Sequence, residues 1–123
     1  MTLGRWIEDR ARITPGRVAI DFEDRLVTYA ELDAAADAFA ADFAARGLVR
    51  GDRVASLTGN SPEHVAVFFA CAKLGLILLP LSWRLSPPEL GYKLENAEPA
   101  LFLVDGPRAG LAEATGSRTE RLV

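Results

Sequence analysis

Cysteine, histidine and basic clusters are scarce in this chain, and each shortage removes a class of function. Cys71 is the single cysteine, so no internal disulfide is possible. With no N-terminal export pattern, a reducing cytoplasm is the expected setting. His64 is the single histidine. It falls early in a helical stretch, where a solvated or helix-end group is the simpler reading than a catalytic base. Together with Cys71 it falls short of a metal site's normal ligand count. Cys71 lies mid-helix among apolar residues and reads as an inert core thiol rather than a nucleophile. The formal charge is −3 and no basic block or basic-aromatic stripe appears, which argues against a nucleic-acid partner. The apolar run "VAVFFACAKLGLILLPL" is interrupted by Lys73, Gly75 and Pro80. It reads as helix, turn and strand, not as a membrane span. No G-x-G-x-x-G follows a strand, no Walker-type loop is present, and "GNSPE" is not a nucleophile elbow. "ATGSRTE" has small and hydroxyl residues but no lysine at phosphate-loop spacing, and reads as a polar loop. The carboxylates are scattered over helix faces, where solvation accounts for them.

What is present is an ordinary globular composition over 123 residues, enough for one domain with a core. "TLGRWIEDRARI" carries Leu3, Trp6, Ile7 and Ile13 at roughly helical spacing, with Thr2 as cap and Pro15-Gly16 as stop. "RVAIDFEDRLVTY" alternates, with Val18, Ile20 and Phe22 on one side, and predicts two short strands turning at Glu23-Asp24-Arg25. Thr28 and Glu31 form a capping-box pattern. The helix behind them places Leu32, Ala36, Phe39 and Phe43 on one stripe, Asp33 and Asp37 on the other face, and Gly47 at its end. "GDRVASLTG" predicts a strand. Ser61 and Pro62 start a helix that is apolar nearly all round, hence deeply buried, and Gly75 ends it. "LILLPL" is a continuous apolar run, as expected of a strand covered on both faces. Ser86, Pro87 and Glu89 repeat the start signals, and Leu90, Leu94 and Ala97 form a stripe with Gly91 permitting close approach. Pro99 marks a break before the buried strand "ALFLVD". The tail, "GPRAGLAEATGSRTERLV", reads as a short helix, a polar loop and the first residues of a further strand.

From residue 52 the order is strand, helix, strand, helix, strand, with short connections and apolar strands. That predicts an α/β fold, a partial doubly wound, mainly parallel sheet with flanking helices and right-handed crossovers. No repeat or linker breaks the chain, so residues 1–123 read as a single incomplete domain. In open parallel sheets ligands gather at the C-terminal ends of strands. "SWRL" follows "LILLPL" and "DGPR" follows "LFLV". Parallel strands would open both loops on one edge, where Arg84 and Arg108 offer two guanidinium groups to one anionic ligand and Trp83 a flat apolar surface. The helix starting at Pro87 would add free N–H groups. The competing reading is that Trp83 seals the core edge and both arginines are surface charges.

The stretches "TYAEL", "GDRVA", "NSPE" and "PLSWRLSPPEL", in this order and spacing, carry a resemblance over about residues 3 to 105. The chain resembles the N-terminal part of the large domain of the adenylate-forming superfamily, which includes acyl- and aryl-CoA synthetases, luciferases and adenylation domains of peptide synthetases. "WRLSPPELGYKLENAEP" looks most like an acid–CoA ligase. The resemblance implies a parent enzyme that activates a carboxylic acid with Mg2+ and ATP to an acyl-adenylate and pyrophosphate, then passes the acyl group to a thiol, usually that of CoA, as in fatty acid metabolism. The family's phosphate loop with its lysine, its aromatic-Gly-x-Thr-Glu stretch, its ribose-binding aspartate, its hinge and its C-terminal catalytic lysine are absent from these residues. The resemblance therefore implies a fragment, inactive alone and binding none of these ligands tightly, with scaffolding and CoA-side contacts as its share. Carried over position by position, Arg84 and the backbone around Ser82 and Trp83 correspond to a loop near the CoA nucleotide. Trp83 is then a candidate to flank the adenine ring, and Arg108 corresponds to an arginine that approaches the CoA phosphates in some members. Many relatives have Asn-x-Arg where this chain has Ser82-Trp83-Arg84, so the arginine is kept and the asparagine lost.

Two other readings belong to different classes. One is a natural short, non-catalytic binding or assembly module of the same fold family, which a native stop codon after Val123 would favour. The other is an unrelated half-Rossmann nucleotide binder, against which the missing glycine fingerprint speaks. The acyl pocket, and with it the acid, is not legible in these residues. A cut sheet exposes backbone at its edge and apolar faces that the remainder would cover. The isolated chain is therefore expected to self-associate or exchange strands. Sedimentation over a concentration series checks this, and a clean monomer throughout overturns it.

Overall fold

A computed structural model describes residues 2–117 and the backbone of residues 121–122. The backbone groups into two compact units, residues 1–50 with 60–76, and residues 51–59 with 77–123.

The first unit holds α1 (Leu3–Ile13), the hairpin β1 (Val18–Phe22) and β2 (Arg25–Thr28), α2 (Tyr29–Ala45) and α3 (Pro62–Leu74). Local signals set the helix starts. The Thr2, Thr28 and Ser61 hydroxyls each accept from a backbone N–H in the first turn that the helix leaves unpaired. Thr28 and Glu31 close a full capping box. The Thr28 backbone N–H, then its side chain, hold the Glu31 carboxyl below its ordinary range. The β1–β2 pairing is antiparallel, with a register irregularity between Val18 and Ile20. That bulge interrupts the alternation expected at Val18, which is exposed. Ile7, Leu32, Ala36, Ala66 and Phe69 form this unit's core. Trp6 stacks on Phe69 at 5.9 Å and meets the edge of Tyr29 at 6.1 Å. Cys71 is buried, and burial pushes its thiol up to about 11, as an inert core thiol requires.

The aspartates on α2 are not simply solvated, as the sequence reading had it. The Lys73 side chain is only 7% exposed, and its Nζ donates to Asp33 at 2.6 Å, Asp37 at 2.7 Å and Glu8 at 3.3 Å. One ammonium thus ties α1, α2 and α3. Burial disfavours the charged lysine, but its hydrogen bonds to Asp33, Asp37 and Glu8 outweigh it and raise its pKa above the ordinary value of 10.5. The resulting stabilisation is complete below that value and is lost only as pH rises through the raised one. The α1–α3 approach is close at the same point. A Cβ on Gly4 would lie 2.8 Å from the Lys73 Cα, so only glycine fits.

The second unit holds β3 (Arg53–Leu57), β4 (Ile77–Pro80), α4 (Pro87–Ala97), β5 (Leu101–Val104), the short 3-10 turn at Gly106–Arg108, α5 (Ala109–Ala114) and β6 (Arg121–Leu122). Its sheet is parallel throughout, in the order β4-β3-β5-β6, as the apolar strands and short connections predict. Ala55, Leu57, Leu81, Leu90, Leu94, Phe102, Val104 and Ala112 form its core. β5 is buried at every position, whereas β4 is an edge strand with Ile77 half exposed, so "LILLPL" is not the doubly covered strand expected from its apolarity. Gly91 permits close approach as expected, since a Cβ there would lie 2.9 Å from the Thr115 carbonyl oxygen. The polar loop expected over "ATGSRTE" runs into residues 118–120, which lie outside the described residues, as does Val123 of the terminal apolar pair.

Lys73→Met removes the shared cation and leaves three carboxylates facing one another. The chain should lose about 1–3 kcal/mol in urea denaturation near neutral pH. An unchanged midpoint would show that the cluster contributes nothing.

Candidate functional site

The parallel register decides where the site lies. Ser56 is level with Pro80, and Leu57 with Val104, so β3, β4 and β5 end together and their loops open on one edge. The strand order adds a second condition. The connection leaving β3 leads to β4 on one side, and the one leaving β5 leads to β6 on the other. The gap between the ends of β3 and β5 is a topological switch point, where open sheets receive ligands.

The loop after β4 is a tight turn. The Leu81 N–H donates to the Ser56 carbonyl at 2.7 Å, which extends the ladder and buries the Leu81 side chain in the core. The Leu85 N–H donates to the Ser82 carbonyl at 3.2 Å, and the Arg84 N–H to the Ser82 hydroxyl at 3.3 Å. Trp83 and Arg84 therefore sit at the tip. Trp83 is 46% exposed, so it does not seal the core edge; Leu81 and Leu85 cover that part of the core.

The loop after β5 is held by Asp105. Its Oδ1 accepts the Arg108 backbone N–H at 3.2 Å, and its Oδ2 accepts Arg108 Nη1 at 3.0 Å and the Gly59 N–H at 2.8 Å. One carboxylate thus joins the ends of β3 and β5 and aims the Arg108 side chain. A Cβ on Gly59 would lie 3.1 Å from Arg108 Nη1, a crowded distance that glycine avoids. The Arg108 Cζ stands 5.3 Å from the centre of the Trp83 ring and the Arg84 Cζ 5.1 Å from it. The two arginines singled out in the sequence are brought to one indole.

The helix N-terminus expected to help is not available. The first two residues of α4, Pro87 and Pro88, have no N–H, and the Glu89 N–H is taken by the Ser86 hydroxyl in a capping box. The Glu89 carboxyl is held below its ordinary range by the Ser86 hydroxyl and backbone N–H, so it places a negative charge there. Sequence reasoning missed Asp105 and Gly59. The signal for Asp105 was its place three residues before Arg108, a capping spacing in "DGPR". Thr58, next to Gly59, has a buried hydroxyl with no hydrogen-bond partner among the described residues. No group of three or more His, Cys, Asp or Glu placed to hold a metal occurs among the described residues, and no described helix is long and apolar enough to cross a membrane.

A parallel sheet with two arginine-bearing loops at its C-terminal edge defines a segment of an α/β protein. Residues 7–122 match the model of the family described as AMP-binding enzyme, and the chain belongs to that family. The chain is 39% identical over 105 residues to indoleacetate–CoA ligase of Aromatoleum aromaticum, covering 85% of this chain and 21% of that protein. It is 38% identical over 100 residues to 2-succinylbenzoate–CoA ligase of Bacillus subtilis, covering 81% of this chain and 21% of that protein. The chain thus spans about a fifth of the length of these relatives. Among solved structures it is similar to o-succinylbenzoate CoA synthetase from Bacillus subtilis in complex with an acyl-adenylate intermediate, with a TM-score of 0.88 and 31% identity over 100% of this chain and 31% of that one. The fold is that of the N-terminal region of adenylate-forming enzymes, as the resemblance implied.

Asp105→Ala leaves the Gly59 N–H and the Arg108 loop without their common acceptor. It should cost about 1–2 kcal/mol in equilibrium unfolding, with Asp105→Asn costing less because its carbonyl still accepts. Equal losses for both variants would mean that the charge, not the hydrogen-bonded tie, is what matters.

Proposed function

We propose that this chain is the N-terminal segment of one incomplete domain, residues 1–123, within an ATP-dependent acid–CoA ligase, and that its own share is scaffolding and CoA-side contacts. The observation that carries the reading is the pair of guanidinium groups, Arg84 and Arg108, gathered at the switch point of a parallel sheet. Membership in the AMP-binding family, with relatives named as CoA ligases, supports it. The reaction of such a ligase joins a carboxylate oxygen to the α-phosphorus of ATP with release of pyrophosphate. A thiol then attacks the acyl carbon and AMP leaves. Mg2+ supplies charge neutralisation at the ATP phosphates, and the residues described here offer no ligand set for it.

The residues of this chain bind and orient. Arg84 and Arg108 meet the phosphates of CoA, with the backbone around Ser82 and the Trp83 side chain lining the approach. Asp105 fixes the direction of the Arg108 side chain. The fragment alone is inactive and holds ATP and CoA weakly. Its partners are the remainder of the ligase chain, the carboxylic acid and CoA, and its setting is a reducing cytoplasm, which accords with the free thiol of Cys71. Without the rest of the ligase, the free edge at β4 favours self-association.

Joined to the rest of the ligase, the segment should support ATP–pyrophosphate exchange driven by a carboxylic acid. Arg84→Ala should leave that exchange unchanged and raise the KM for CoA about tenfold. A folded full-length protein without exchange activity, or an Arg84→Ala variant with an unaltered CoA KM, would overturn the reading.

A further inference from the structure

We propose that Trp83 is a positioning residue, its indole seating the Arg84 and Arg108 guanidinium groups as a pair rather than serving as a stacking surface for a purine. The inference rests on the CoA-side reading above and says how that side is organised. Two guanidinium groups repel each other, and here both approach the same ring, with Cζ atoms 5.1 and 5.3 Å from its centre. The negative face of an indole is the strongest aromatic attractor for such a cation. Arg108 arrives from the β5 loop, anchored by Asp105 at 3.0 Å. Arg84 arrives from the β4 loop with no ion-pair partner among the described residues, so its contact is the ring that Arg108 also meets. The attraction acts on the charge of the cation and uses no acceptor atom, which leaves N–H donors on both groups for an anion. A base stacked on Trp83 would compete with these guanidinium groups for the ring. The tip position supports the same role. Trp83 is half exposed, and Leu81 and Leu85 cover the neighbouring core, so the ring is not needed to seal it. The ligand that fits a preassembled pair of this kind is a nucleotide bearing more than one phosphate group, such as a 3′,5′-bisphosphate.

The test has two arms. In the first, 5-fluorotryptophan is incorporated into this chain and the 19F resonances of Trp6 and Trp83 are recorded. Trp6 lies in the aromatic cluster of the first unit and serves as the internal reference resonance. Arg84→Gln and Arg108→Gln should each shift the Trp83 resonance and leave that of Trp6 in place. Adenosine 3′,5′-bisphosphate should shift the Trp83 resonance of the unsubstituted chain in a salt-sensitive way. In the second arm, kinetics are measured in the full-length ligase. Trp83→Leu should raise the KM for CoA about three- to fivefold with kcat and the KM for ATP unchanged, and Trp83→Phe should restore most of the loss. If neither arginine variant moves the Trp83 resonance, or if Leu serves as well as Trp, the positioning role is wrong while the CoA-side reading stands. If the arginine variants move the resonance but leave the KM for CoA unaltered, the CoA-side reading is wrong and the ligand assignment made here falls with it.

Discussion

Everything at the candidate site depends on β3 pairing in parallel with a strand on each side. Because Ser56 is level with Pro80 and Leu57 with Val104, three strands end at one height and deliver three loops to one edge. An antiparallel neighbour would have sent either the Trp83 loop or the Arg108 loop to the opposite end. The pairing is supported locally by buried apolar side chains along β3 and β5, which favour a doubly covered sheet over an alternating one. Asp105 then converts alignment into a fixed geometry. Its carboxylate bonds the Gly59 N–H from one strand end while it holds the backbone and the guanidinium of Arg108 at the next.

The first unit solves a different problem by similar means. Its helices carry acidic residues close together on α1 and α2, which would repel one another if each were left to water alone. A single lysine on α3 collects three of them, and the tight glycine contact at Gly4 lets α1 come near enough for it to do so. In both units one polar group is shared among several elements, an ammonium in the first and a carboxylate in the second. Such groups resist piecemeal substitution, because each partner's geometry presumes the others.

Much of this was legible in the sequence, and the parts that were not share a cause. Helix starts were readable because caps are local: Thr28 with Glu31, and Ser86 with Glu89, act within one turn of themselves. The parallel sheet was readable because order and apolarity constrain it. The choice of Arg84 and Arg108 as a pair followed from strand ends alone, and the structure brings both to Trp83. What escaped were contacts between residues far apart in the chain. Lys73 looked like an interruption of an apolar run, and its three partners lie at distances in sequence that no periodicity encodes. Asp105 appeared only as a letter at the end of "ALFLVD" and the start of "DGPR". β4 has the composition of a central strand and sits at an edge, since apolarity says that a strand is buried but not by which neighbour. The expectation of free N–H groups at α4 failed on a local rule that was in view, the paired prolines at its start.

Cys71 carries one further consequence. A thiolate is among the best acceptors for an activated acyl group. A cysteine whose thiol is buried and shifted to about 11 stays protonated at neutral pH and presents no nucleophile. The lone thiol of this segment is therefore shielded from acylation by the same packing that fills the core.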